Sequence, residues 1–278
     1  MRAKSRYDES RMIDLLDHPA LSSAYFFPRR SPVTDPFWVA SADGGARLAC
    51  YRSAPFSDAL TVIHFHGNAE VVADYVPAMA RIVNHLGANV LFAEYRGYGN
   101  STGTASLGKM LEDVKPIVEA AAVPEERLVF FGRSLGSVFA IEAAALRPAA
   151  AGLVIESGIA DPLERTLMRV SPESLGTTAD VLERVVHSRV DQKAKLHAFR
   201  GPLLVMHTVQ DPLIPVSHGS RIYAWGGAEA TEKELVLFEQ GDHGTIFPAN
   251  RDAYVGRLGA FLQRAAARAG IAPQAIPA

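Results

Sequence analysis

Residues 128–137 read Leu128-Val129-Phe130-Phe131-Gly132-Arg133-Ser134-Leu135-Gly136-Ser137, and the segment from Ser137 continues SVFAIEAAA. The apolar run suits a strand buried on both faces, and the alanine-rich segment after it suits a helix. Between them stands G-x-S-x-G, the pattern that puts a serine on a sharp strand-to-helix turn. A side chain two residues before or after the serine would collide with its neighbours on so tight a turn, which accounts for Gly132 and Gly136. The turn projects the Ser134 hydroxyl beyond the carboxyl end of the strand. The helix N-terminus brings backbone N–H groups, that of Leu135 among them, to the place where a substrate oxygen gains negative charge.

Similar apolar runs lie at residues 60–65, 89–93, 152–155, 202–206 and 234–238. They alternate with helical patterns at 71–86, 106–122, 136–145, 217–225 and 251–268, several of them opened or closed by Gly, Pro, Ser or Asn. The alternation predicts an open α/β fold: a mostly parallel central sheet with helices on both faces. Upstream, the stretches 37–40 and 46–51 flank Asp43-Gly44-Gly45 and predict a hairpin. Residues 160–199 break the rhythm. They are charge-rich, predict two or three helices, and are read as a small helical cap insertion, a longer crossover being the other reading. The expected organisation is an N-terminal extension over 1–34, one domain over 35–268, and a flexible tail over 269–278.

A chain of 278 residues, 48% hydrophobic, has the material for one large core. The formal net charge is −2, with no long run of Lys or Arg, so nucleic acid is not an expected partner. Charges are scattered through the first 32 residues and no apolar run is long enough to span a bilayer, so no integral membrane segment and a cytoplasmic location are expected. Cys50 is the sole cysteine, which forbids an internal disulfide, and its place in LACYR reads as a buried strand residue.

Three other loops follow predicted strands. The first is His66-Gly67-Asn68-Ala69-Glu70, where the N–H of Asn68 is the candidate second oxyanion donor. The second presents Asp211 and the third His243. Serine is a poor nucleophile at its own pKa, so it needs a neutral imidazole to take its proton and a carboxylate to orient that ring. Asp242, beside His243 in sequence, is poorly placed to reach the far ring nitrogen. His66 reads as a brace of its loop, His64 as a core residue, and Arg133 as a member of an ion pair. Residues Tyr95, Arg96, Tyr98 and Ser101 read as a hydrogen-bonded turn fastening the sheet to the next helix. No spacing of Cys, His and carboxylates predicts a metal site.

The strings HFHGNAE at 64–70, EYRGYGNSTG at 94–103, GRSLGS at 132–137, DPLIP at 211–215 and GDHGTIF at 241–247 together resemble the BEM46-like branch of the α/β-hydrolase superfamily, with its ABHD12, ABHD13 and ABHD17 groups. The resemblance covers residues 35–268. It implies the α/β-hydrolase fold with nucleophile Ser134, acid Asp211, base His243 and oxyanion donors Asn68 and Leu135, in the chain order used by that superfamily. Two departures stand out: HGNAE where relatives carry further small residues, and HTVQD where a glycine commonly follows the histidine.

The reaction expected is hydrolysis of a carboxylic ester of a small or medium acyl substrate through an acyl-enzyme on Ser134, with no cofactor. A thioesterase, amidase, peptidase or acyltransferase would use the same residues. A non-catalytic binding protein on a hydrolase fold is the alternative of another class.

Overall fold

Eight strands form one sheet in the order β1-β2-β4-β3-β5-β6-β7-β8. They are β1 (Phe37–Ala40), β2 (Arg47–Ser53), β3 (Thr61–Phe65), β4 (Asn89–Ala93), β5 (Leu128–Arg133), β6 (Gly152–Glu156), β7 (Leu203–Thr208) and β8 (Lys233–Phe238). The computed structural model describes residues 15–227 and 232–274. Residues 1–14 of the expected extension and 275–278 of the expected tail lie outside the described residues. The hairpin is antiparallel, β2 joins β4 antiparallel, and the six strands from β4 to β8 run parallel.

The helices are α1 (Pro19–Tyr25), α2 (Ala78–His85), α3 (Leu107–Ala120), α4 (Gly136–Leu146), α5 (Pro162–Leu167), α6 (Ala179–Val190), α7 (Gln192–Ala198), α8 (Val216–Trp225), α9 (Ile246–Ala249) and α10 (Arg251–Arg268). Strand residues alternate between two apolar layers. Ile63, Leu91, Phe130, Leu153 and Val205 pack with α3 and α4. Val62, Val90, Val129, Val154 and Leu204 pack with α2 and α10. With both faces covered, the central strands read as continuous apolar runs. The expected helix over 71–86 is divided into a 3₁₀ turn, Val72–Asp74, and α2. Pro77 is the reason, since it has no N–H to donate and drives the residue before it out of helical conformation.

From β3 the chain crosses to β4 on one side, while β5 lies on the other. The crevice beyond the carboxyl ends of β3 and β5 is therefore a topological switch point, where α/β sheets bind ligands. Helix α4 starts hard against this crevice. A Cβ on Gly136 would sit 2.0 Å from the Phe65 carbonyl oxygen, and one on Gly132 2.5 Å from the Ser137 Cα. Both glycines of the motif are thus required by backbone contact, as the sequence reading expects.

Between β6 and β7 lie α5, a 3₁₀ turn at Pro172–Leu175, α6 and α7. Helix α7 packs along α4 and α8, and the 3₁₀ turn meets α1. The segment before β1 is part of the core, with Leu16, Leu21, Tyr25 and Phe26 buried. Asp17 accepts a hydrogen bond from the Lys109 N–H at 3.0 Å, capping the first turn of α3.

Candidate active site

Ser134 stands at the end of β5 with φ of +50°, a left-handed conformation that costs energy for any residue but glycine. Its N–H donates to the Glu156 carbonyl at 2.9 Å, which fixes the turn to the end of β6. His243 Nε2 lies 2.9 Å from Ser134 Oγ, and His243 Nδ1 lies 2.7 Å from Asp211 Oδ2. The fold thus brings together three residues from loops after β5, β7 and β8.

Asp211 is held on its other side as well. Its Oδ1 accepts the N–H groups of Leu213 at 2.9 Å and Ile214 at 2.7 Å, leaving Oδ2 for the imidazole. His207 Nε2, 2.9 Å from the Ile214 carbonyl, also stands 3.4 Å from Oδ2. Burial alone would raise the carboxyl pKa. The hydrogen bonds from His207, His243 and Ile214 outweigh it and hold Asp211 well below the usual carboxylate range. Asp242 does different work: its Oδ1 accepts from Gly244 N, Thr245 N and Thr245 Oγ1, closing the turn that carries His243.

The loop after β3 is built around Asn68. Its Oδ1 accepts from Phe27 N at 2.9 Å, from Ala69 N at 3.1 Å and from the Tyr98 hydroxyl at 2.9 Å, while Nδ2 donates to the Tyr25 carbonyl at 2.6 Å. Ala69 takes φ of +61°. These bonds commit the Asn68 side chain to holding its own loop. The Leu135 amide precedes the first turn of α4, where N–H groups have no carbonyl four residues back. The contact at Gly136 places these two loops against each other.

His66 braces the loop. Its Nδ1 lies 2.8 Å from the Gly67 carbonyl and its Nε2 2.7 Å from Glu94 Oε1. Burial opposes the imidazolium, but Glu94 outweighs it and the pKa lies above the ordinary value, in keeping with two acceptors facing the ring. His64 is a core residue between Tyr75, Phe92 and Phe131, its pKa driven well down by burial. Burial pushes the Cys50 thiol up to about 12. Arg96 forks onto Asp113 at 2.7 and 2.8 Å, and the Tyr95 hydroxyl donates to the His66 carbonyl at 2.8 Å, so the 95–101 turn fastens sheet, helix and loop together.

Arg133, beside the serine, links the loops after β3 and β8 to the end of β6. It pairs with Glu70, donates from Nε to Glu156 Oε1 at 3.0 Å, and donates from Nη2 to the His243 carbonyl at 2.8 Å. Tyr254 in turn donates to Glu156, and Tyr75 to Glu70 at 2.6 Å. The sequence reading anticipates an ion pair at Arg133 but not its partners, nor His207 beside Asp211. Removing one member of a buried charged network leaves the others uncompensated. Arg133→Met is therefore expected to destabilise the fold by about 3–5 kcal/mol, read as a lower urea midpoint, with Arg133→Lys losing less.

Among the described residues no group of three His, Cys, Asp or Glu side chains is gathered closely enough to hold a metal ion, and no helix is long and apolar enough to cross a membrane.

Residues 57–189 match the family described as serine aminopeptidase, S33. The chain is 29% identical over 184 residues to the α/β hydrolase domain-containing protein aho-3 of Caenorhabditis elegans, covering 64% of this chain and 51% of that protein, about half its length. It is 25% identical over 251 residues to the α/β hydrolase domain-containing protein WAV2 of Arabidopsis thaliana, covering 85% and 81%. The chain is an α/β-hydrolase related to the ABHD proteins. The fold of this α/β-hydrolase is shared with the Pyrococcus furiosus esterase Pf2001, at a TM-score of 0.65 and 20% identity over 85% of this chain and 98% of that one.

Proposed function

We propose that this α/β-hydrolase is a serine esterase that cleaves the carboxylic ester of a small or medium acyl substrate. The observation that carries the reading is the hydrogen-bonded series Ser134–His243–Asp211 at 2.9 and 2.7 Å, assembled at the switch-point crevice. Ser134 Oγ attacks the ester carbonyl carbon while His243 Nε2 takes its proton. The carbonyl oxygen, now negative, is received by the amides of Asn68 and Leu135. The intermediate collapses as His243 returns the proton to the leaving alkoxide, and the acyl group stays on Ser134. Water, deprotonated by the same imidazole, then attacks the acyl carbon and releases the acid and the free serine.

The segment carrying α5 to α7, together with the chain around Tyr25 to Arg29 that crosses the Asn68 loop, serves as the cap over this crevice. The name of the Pyrococcus furiosus neighbour supports ester substrates. The description of the matched family supports a second reading, release of an amine from an amide bond by the same steps. Treatment of the purified protein with a fluorophosphonate probe, alongside p-nitrophenyl esters and p-nitroanilides of increasing acyl length, tests both. Labelling with turnover of esters over anilides is the expected result. Faster anilide cleavage would favour the second reading, and neither labelling nor turnover would overturn both.

A further inference from the structure

We propose that Glu70 and Arg133 form a positioning clamp that aligns the oxyanion loop with the histidine loop across the Ser134 turn, so that the pair sets the rate of acyl transfer and not only the stability of the fold. The inference rests on Ser134 being the nucleophile of an ester hydrolase and names two residues that act through its partners. Arg133 is the last residue of β5, one position before Ser134. Its guanidinium pairs through Nη1 with Glu70 and donates from Nη2 to the His243 carbonyl at 2.8 Å. Glu70 Oε2 in turn accepts the Gly67 N–H at 2.6 Å and the Tyr75 hydroxyl at 2.6 Å. One carboxylate and one guanidinium therefore join the backbone of the residue before Asn68 to the backbone of the candidate base, beside the nucleophile.

The clamp is packed against the loop it holds. A Cβ on Gly67 would stand 2.8 Å from both Arg133 Nη1 and Glu70 Oε2. The Arg133 and Glu70 side chains are 13% and 23% exposed, and a charge-assisted bond shielded from water in this way holds its geometry more firmly than one at the surface. Burial opposes the Glu70 anion, but Arg133 and the Tyr75 hydroxyl outweigh it and keep the carboxyl below its ordinary range. Glu70 thus offers acceptors alone to three donors. Glutamine at this position has one acceptor oxygen and one NH₂, so a donor would face a donor on one side and one of the two links would be lost. Reacting groups misplaced by about 1 Å lose on the order of 10² in rate. The other arm of Arg133 runs to Glu156 at the end of β6 and from there to Tyr254 on α10, rather than to either loop.

The test measures kcat and KM on p-nitrophenyl butyrate, and inhibition by n-butylboronic acid, for the wild type, Glu70→Gln, Tyr75→Phe and Tyr254→Phe, at a temperature where circular dichroism shows each folded. The boronic acid forms a tetrahedral adduct with the serine, so its affinity reads the alignment of the oxyanion amides apart from substrate binding. Glu70→Gln is expected to lower kcat by about 10- to 100-fold and to weaken the boronic acid by a similar factor, with KM changed about twofold or less. Tyr75→Phe removes one hydroxyl from the same carboxylate and is expected to lower kcat about three- to tenfold. Tyr254→Phe removes one hydroxyl from the other arm and is expected to lower the urea midpoint while kcat changes about twofold or less. If Glu70→Gln does not fold, the two tyrosine variants decide the matter between them. Equal effects of Tyr75→Phe and Tyr254→Phe on kcat, a Glu70→Gln kcat within about twofold of wild type, or a loss carried by KM alone would overturn the clamp and leave the esterase reading standing. A wild type that neither cleaves the ester nor binds the boronic acid would overturn both.

Discussion

Ser134→Ala is expected to lower ester turnover by a factor on the order of 10⁶ while leaving the fold intact. The substitution removes one hydroxyl, whose side-chain partner among the described residues is His243 Nε2 at 2.9 Å. The strained turn keeps its Cβ and its backbone bond to Glu156, so thermal stability should change little. Serine and histidine act as a unit, so adding His243→Ala to Ser134→Ala should cost almost nothing more. Residual turnover from the two oxyanion amides and substrate binding should stay roughly 10³- to 10⁴-fold above the uncatalysed rate. Single-turnover kinetics with a p-nitrophenyl ester measures this directly. An alanine variant that kept a tenth of wild-type turnover would place the nucleophile elsewhere.

Asp211→Asn is expected to cost a factor of about 10⁴ in kcat. Asp211 Oδ1 already receives two backbone N–H groups, from Leu213 and Ile214, so the amide of an asparagine cannot point its NH₂ there. The NH₂ must replace Oδ2 and face His243 Nδ1, which forces that nitrogen to be the acceptor. The proton then sits on Nε2, which can no longer take one from Ser134. The same substitution changes how stability depends on pH. A carboxyl whose pKa is depressed in the fold stabilises it above the ordinary carboxylate range and loses that contribution as pH falls through that range towards the lower folded value. The wild type should therefore exceed Asp211→Asn in stability most at neutral pH, and the gap should narrow on acidification. Urea unfolding of both proteins between about pH 7 and pH 3, bracketing the free Asp value of about 3.9, checks the sign. A gap that widened in acid would mean the carboxyl is not stabilised as the anion.

The sheet was legible in the chain because strands buried on both faces leave uninterrupted apolar runs, and β4 and α10 match their expected bounds. The helix expected over 71–86 was not, since apolar periodicity continues through Pro77 while the backbone cannot. The division of the 160–199 segment into α5, α6 and α7 was legible as helical content, but where those helices pack was not. Arg133 shows the limit at the site itself. Its neighbourhood in sequence says that a charge lies beside the serine, yet Glu70 comes from the loop after β3, Glu156 from the end of β6 and the His243 carbonyl from the loop after β8.

By itself, then, the sequence determined the α/β-hydrolase fold and the candidate residues that sit in short loops at strand ends. Strand, tight turn and helix are local, and each leaves its mark within about ten residues. Only the tertiary structure decided that His207 supports Asp211, that the segment at Tyr25 and Phe27 holds Asn68, and that Arg133 ties Glu70 to Glu156. Side-chain partners across a sheet are chosen by which loops the strand order places together, and a chain read in one dimension carries no record of that distance.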